Sequence, residues 1–256
     1  MENNNTVVVA VCGKGGVGKT CISALLTKIL CADNNNKVLA IDADPAVGLA
    51  SSLGITIKKT LDDIRTGLIT NIKDEKNIPK KELLATIDYE LFEALVERQN
   101  LAFLAIGRPE TAGCYCKINS FLREIIKEMV PNFDYVIIDG EAGIEQVNRR
   151  VMGMVTHLLL VTDTSLKGKN VAETIENVAQ RSISYKKKGL ILNMMKEMAH
   201  LDAFRQKTAL PIIGWLPEDD LIRHYDREGT SFFELGPSEA QKALEKIATD
   251  FLTPGE

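Results

Sequence analysis

The chain has 256 residues, 45% of them hydrophobic and 26% charged, and a formal net charge of −4. That acidic balance argues against a nucleic-acid surface, and no apolar stretch approaches the roughly 20 residues a membrane helix needs. The length suits one large α/β domain that buries an extended sheet. In chain order, Thr6 to Val11 is a continuous β-branched run, the pattern of a strand buried on both faces, and a glycine-rich turn follows it. Ile22, Leu25, Leu26, Ile29 and Leu30 then recur at helical spacing. Val38 to Ile41, Leu101 to Ile106, Tyr135 to Ile138, His157 to Val161, Gly189 to Asn193 and Pro211 to Trp215 read as further strands. Helices are expected over Asn119 to Met129, Asn170 to Arg181 and Glu239 to Leu252. The alternation predicts a mostly parallel sheet with helices on both sides, a three-layer α/β/α single domain over residues 1–256. The charged segment at about 55–100 fits that alternation least well and reads as a helical insertion.

Gly13-Lys14-Gly15-Gly16-Val17-Gly18-Lys19-Thr20 matches G-x-x-x-x-G-K-[ST] between a strand and a helix. The glycines let backbone N–H groups curl toward phosphate oxygens, and the following helix turns its positive end to the same anion. Lys19 is expected to reach the β and γ phosphates and Thr20 to ligate Mg²⁺, with Cys21 closing the ATP-binding segment. Lys14 makes the motif similar to the deviant phosphate loop, K-G-G-x-G-K-[ST], of the family that holds nitrogenase reductase and the MinD and ParA ATPases. The resemblance implies a P-loop NTPase fold, ATP hydrolysis and a homodimer in which Lys14 crosses to the nucleotide of the other subunit.

Asp42-Ala43-Asp44-Pro45 closes the second strand beside this loop. Taken alone, it reads first as a helix-capping turn. The resemblance gives Asp44 the role of orienting the attacking water and puts Asp42 near Mg²⁺ through water. Tyr135-Val136-Ile137-Ile138-Asp139 is an apolar strand ending in an acid, expected behind the same Mg²⁺, and Gly143 matches a backbone sensor of the γ-phosphate. Asn193 ends a strand and is implied as an adenine contact, with Pro217 and Glu218 flanking the ring; its other reading is a turn residue.

Cys114-Tyr115-Cys116 precedes a helix. Two thiols at i and i+2 chelate a metal without completing its coordination, whereas two such pairs across a two-fold axis supply four thiolates. Gly113-Cys114-Tyr115-Cys116, Asn119-Ser120-Phe121-Leu122-Arg123 and Asp139 with Ala142-Gly143-Ile144-Glu145 closely resemble CooC-type ATPases, from Val7 to the last helix. These accessory proteins mature the nickel centre of carbon monoxide dehydrogenase, and a relative serves acetyl-CoA synthase. The resemblance implies Ni²⁺, or Zn²⁺, held by Cys114 and Cys116 at the dimer interface and passed to such a client enzyme. Buried core cysteines, a strained disulfide and an iron–sulfur cluster are the other readings of the pair, and a spatial-organising ATPase of the MinD or ParA kind is the other reading of the chain. Cys12, Cys21 and Cys31 read as small core residues, and His157, His200 and His224 as structural. Without a secretory signal, a reducing cytoplasm is expected, with no membrane or nucleic acid among the partners.

Overall fold

The computed structural model describes residues 6–44, 46–74, 80–107, 116–140 and 152–253. The apolar runs become β1 (Val7–Gly13), β2 (Val38–Asp42), β4 (Leu101–Ala105), β5 (Tyr135–Asp139), β6 (His157–Thr162), β7 (Lys187–Met195) and β8 (Ile212–Pro217). A short strand β3 (Val96–Arg98) joins them in an eight-stranded sheet of order β3-β4-β2-β5-β1-β6-β7-β8. Its ladders are parallel except β3 on β4, a hairpin at one edge. The fold is therefore α/β with a mostly parallel sheet. The chain leaves β1 toward β2 on one side and later crosses to β6 on the other, so the turn after β1 stands at the topological switch point, where such sheets bind ligands.

Strand alternation divides the interior into two cores. Val7, Val9 and Val11 of β1 pack with Ile22, Leu25 and Leu26 of α1 (Lys19–Cys31), Leu49 of α2 (Gly48–Leu53) and Leu244 of α9 (Glu239–Phe251). Val8, Ala10 and Cys12 face the other way, toward Leu61 and Ile64 of α3 (Leu61–Asp74), Leu122 and Ile126 of α5 (Cys116–Met129) and Ala172 of α6 (Leu166–Ser182). This gives the three α/β/α layers. Between α3 and β3 lies α4 (Lys80–Ala94), so helices occupy most of the 55–100 segment.

The apolar pattern did not disclose α2, α7 (Ala199–Arg205) or α8 (Asp220–Glu228). All three are short, and α8 buries no residue fully. What fixes α8 is capping: Asp219 accepts from the N–H groups of Leu221 (3.0 Å) and Ile222 (3.3 Å), and Gly229 closes the other end at φ 65°. Among the described residues no helix is long and apolar enough to cross a membrane.

Candidate nucleotide site

The loop from Gly13 to Lys19 joins β1 to α1 at the carboxyl edge of the sheet. Gly13 lies so close to β6 that a Cβ there would stand 2.1 Å from the Val161 carbonyl oxygen, which excludes any other residue. Gly16 and Gly18 take φ of 79° and 84°, the left-handed region open to glycine. These turns bring the amino end of α1 round to face the loop, and Ile22 N–H makes the first helical bond to Gly18 O (3.0 Å). Lys19 is largely buried, and its Nζ donates to Lys14 O (3.3 Å), so the ammonium is held across the loop. Lys14 itself pairs with Asp163, just beyond β6, at 3.3 Å. Bonds from Ser165, more than Lys14, hold the Asp163 carboxyl below its usual range against the opposing effect of burial.

Asp42 and Asp139 end neighbouring strands in register, and neither side chain is exposed. Burial, then the charge of Asp139, pushes Asp42 up to about 7. Burial pushes Asp139 up to about 6 against the pull of the Thr20 and Ser23 hydroxyls and the Lys19 ammonium. Ser23 Oγ donates to Asp139 Oδ1 (2.9 Å), whereas the buried Oδ2 has no hydrogen-bond partner. A carboxylate oxygen left bare beside a hydroxyl and a lysine is unstable alone and suits a hydrated divalent cation. The residues present thus fit Mg²⁺, which Thr20 and Asp139 would hold. Asp44 stands half-buried at the mouth, its Oδ1 accepting from Ala46 N–H (2.8 Å).

On the other side of the loop, Cys21, Asn193, Pro217, Glu218, Arg223 and Asp226 line one cavity. The structure thus brings together the three residues expected around the base, Asn193, Pro217 and Glu218, with Cys21 of the phosphate-loop segment beside them. Asn193 Nδ2 donates to Val17 O (2.9 Å) and rests against Gly18, where a Cβ would come within 2.5 Å of it. The amide therefore braces the phosphate loop as well as walling the cavity. Glu218 is ion-paired to Arg223 and, at 3.4 Å, to Lys196. Burial, reinforced by the Asp226 carboxylate, pushes the Cys21 thiol up to about 12, so it is a neutral wall. Arg223 and Asp226 come from α8, which the sequence reading did not find. Cys12 is a core residue, as expected, and Cys31 is half-buried.

Gly143 and Cys114 lie outside the described residues, as does the side chain of Cys116. Cys116 opens α5, which follows β4, so that helix starts at the same carboxyl edge as the phosphate loop. Among the described residues no group of three or more His, Cys, Asp or Glu is arranged to hold a metal ion.

Comparisons with known proteins give the family and the fold. A family model described as "AAA domain" matches residues 5–188. An uncharacterized ATP-binding protein of Methanocaldococcus jannaschii is 35% identical over 249 residues, covering 94% of this chain and 97% of that one. The carbon monoxide dehydrogenase accessory protein CooC of Rhodospirillum rubrum is 27% identical over 245 residues, 92% of each chain. Among solved structures, the septum site-determining protein MinD of Pyrococcus horikoshii, complexed with Mg-ADP, superposes with a TM-score of 0.69 at 22% identity, covering 96% of this chain and 95% of that one. At that identity the likeness speaks for the fold.

Proposed function

This chain belongs to the AAA domain family of P-loop ATPases, and from that premise we propose that its ATPase drives a metallochaperone. In this reading a homodimer carries Ni²⁺, or Zn²⁺, as cargo on Cys114 and Cys116 of each protomer. It delivers the ion to a client metalloenzyme such as carbon monoxide dehydrogenase or acetyl-CoA synthase. The observation that carries the reading is the Cys114-Tyr115-Cys116 pair, whose second cysteine opens α5, a helix that starts at the nucleotide edge of the sheet. The 27% identity to CooC over nearly the whole chain supports it.

The chain's own residues supply the steps. Lys19 and the loop amides bind the phosphates, while Asp44 orients the attacking water. Mg²⁺, when bound, offsets the negative charge that develops on the transferring phosphoryl group. Lys14 leaves Asp163 and reaches the partner's nucleotide, so closure requires a triphosphate. Gly143 senses the γ-phosphate; once it is lost the interface relaxes and each cysteine pair is left with half of a four-thiolate set. A reducing cytoplasm keeps those thiols available.

The test is metal content and oligomeric state of anaerobically purified protein, with and without ATP and Ni²⁺. One Ni²⁺ or Zn²⁺ per dimer, lost in Cys114→Ser with nucleotide binding kept, is the expected result. Stoichiometric metal retained in Cys114→Ser overturns the cysteine site. Iron with sulfide in the wild-type dimer points instead to an electron-transfer protein.

A further inference from the structure

The carboxylate of Asp42 is committed to the backbone. Its Oδ1 accepts from Asp44 N–H (3.1 Å), and its Oδ2 accepts from the N–H groups of Leu49 (2.8 Å) and Ala50 (3.3 Å). One side chain thereby ties down both ends of the segment from Asp44 to Gly48. That segment needs such a tie. Val47 takes φ 53°, a left-handed conformation that a β-branched residue holds only when its surroundings enforce it. Val47 also offers no side-chain oxygen to cap α2, so the first-turn amides of that helix depend on Asp42. Gly48, which opens α2, stands against the phosphate loop: a Cβ there would lie 3.6 Å from the Thr20 methyl. The backbone of β2 is fixed as well, with Ile106 N–H donating to Asp42 O (2.8 Å) and Ala43 N–H to Asp139 O (3.0 Å).

We propose that Asp42 is a positioning residue for ATP hydrolysis, holding the Asp44 loop against the phosphate loop through three backbone N–H groups. This goes beyond a place near Mg²⁺, and it rests on Asp44 orienting the attacking water. Asparagine at position 42 keeps the size and one acceptor oxygen. Its NH₂ group must then face either Asp44 N–H or the two α2 amides, donor against donor, and the loop is released at one end.

The experiment compares Asp42→Asn, Asp44→Asn and the double variant for kcat, KM, affinity for a non-hydrolysable ATP analogue and the Mg²⁺ concentration giving half-maximal activity. For Asp42→Asn, kcat is expected to fall by about 30-fold or more, with KM, analogue affinity and the Mg²⁺ requirement within about threefold. Added to Asp44→Asn, it should cost no more than about a further twofold, because it acts through the residue already removed. Multiplying effects, or full kcat regained at high Mg²⁺, overturn the proposal and leave Asp42 as a cation ligand. Wild-type hydrolysis by Asp44→Asn alone removes the premise about water and is distinguishable from both. Hydrogen exchange on the unaltered protein, free of Mg²⁺ and nucleotide, adds a readout that needs no variant to fold. The amides of Asp44 and Leu49 should be protected by about 100-fold or more, and exchange at unprotected rates overturns the tie itself.

Discussion

Lys14 Nζ and Asp163 Oδ2 lie 3.3 Å apart within one chain, although 149 residues separate them in sequence. The lysine expected to serve a partner's nucleotide is thus held at home. Both side chains are partly exposed, at 28% and 37%, so the pair is worth less than about 1 kcal/mol after solvent screening. In the proposed dimer it is a weak latch that a bound triphosphate across the interface would outcompete.

Removing the latch should therefore ease assembly. Asp163→Asn is expected to tighten the ATP-dependent dimer by no more than about 30-fold, since each dimer breaks two such pairs. Lys14→Ala should abolish nucleotide-dependent dimerisation while ATP still binds the monomer. Sedimentation with and without a non-hydrolysable analogue reads both, and a Lys14→Ala protein that dimerises normally with nucleotide refutes the trans role.

Gly18→Ala faces two obstacles together. Its φ of 84° is strained for alanine, and the new Cβ would come within 2.5 Å of Asn193 Nδ2. Nucleotide affinity is expected to drop by about two orders of magnitude with the sheet intact, because the loop must open to relieve both. Adding Asn193→Ala relieves only the contact and should restore part of the loss. Calorimetric titration with ATP decides it: wild-type affinity in Gly18→Ala shows the loop to be plastic enough to absorb both the strained φ and the contact with Asn193.

The acidic pair makes stability fall with rising pH. Asp42 and Asp139 are raised on folding from 3.8 to about 7 and about 6, so the folded state holds protons that the unfolded chain has already released. Their stabilising contribution is complete below about pH 4 and is lost as pH rises to about 7. His157 opposes them: burial, with Lys186 and Lys187 nearby, lowers it to about 4, so its contribution is lost as pH falls below about 6.5. The clean measurement is the Tm difference between wild type and Asp42→Asn, without Mg²⁺ or nucleotide, from about pH 5 to 8. Wild type should lose ground from about pH 5 to about pH 7 and level off above it. Parallel curves mean that Asp42 ionises as freely as in the unfolded chain.

The parts legible in the sequence are local ones. The phosphate loop announces itself because glycines, lysine and threonine must follow one another along a single turn, and Asp42 and Asp139 because each ends an apolar run. The seven strands read from apolar runs all belong to the sheet. What escaped was built from residues distant in sequence or from very short elements. Asp163 has no motif around it, and only the fold brings it to Lys14. Asp226 reaches the cavity beside Asn193 on α8, whose Leu221, Ile222 and Tyr225 are only partly buried and leave a faint periodic signal. Its Asp219 cap and Gly229 terminator were the clues a reading by capping residues would have used. Helix α2 is six residues long and receives its cap from Asp42 in the preceding strand, which no inspection of its own sequence reveals.

The placement of β1 inside the sheet has an evolutionary consequence. To one side, β2 and β5 carry the acids expected around Mg²⁺; to the other, β7, β8 and α8 contribute to the cavity proposed for the base. In the proposed reading, hydrolysis and nucleobase choice therefore draw on different halves of the fold, joined at the phosphate loop. A descendant can drift toward another base by remodelling Asn193, Glu218 and Asp226 while its hydrolytic half stays under separate selection.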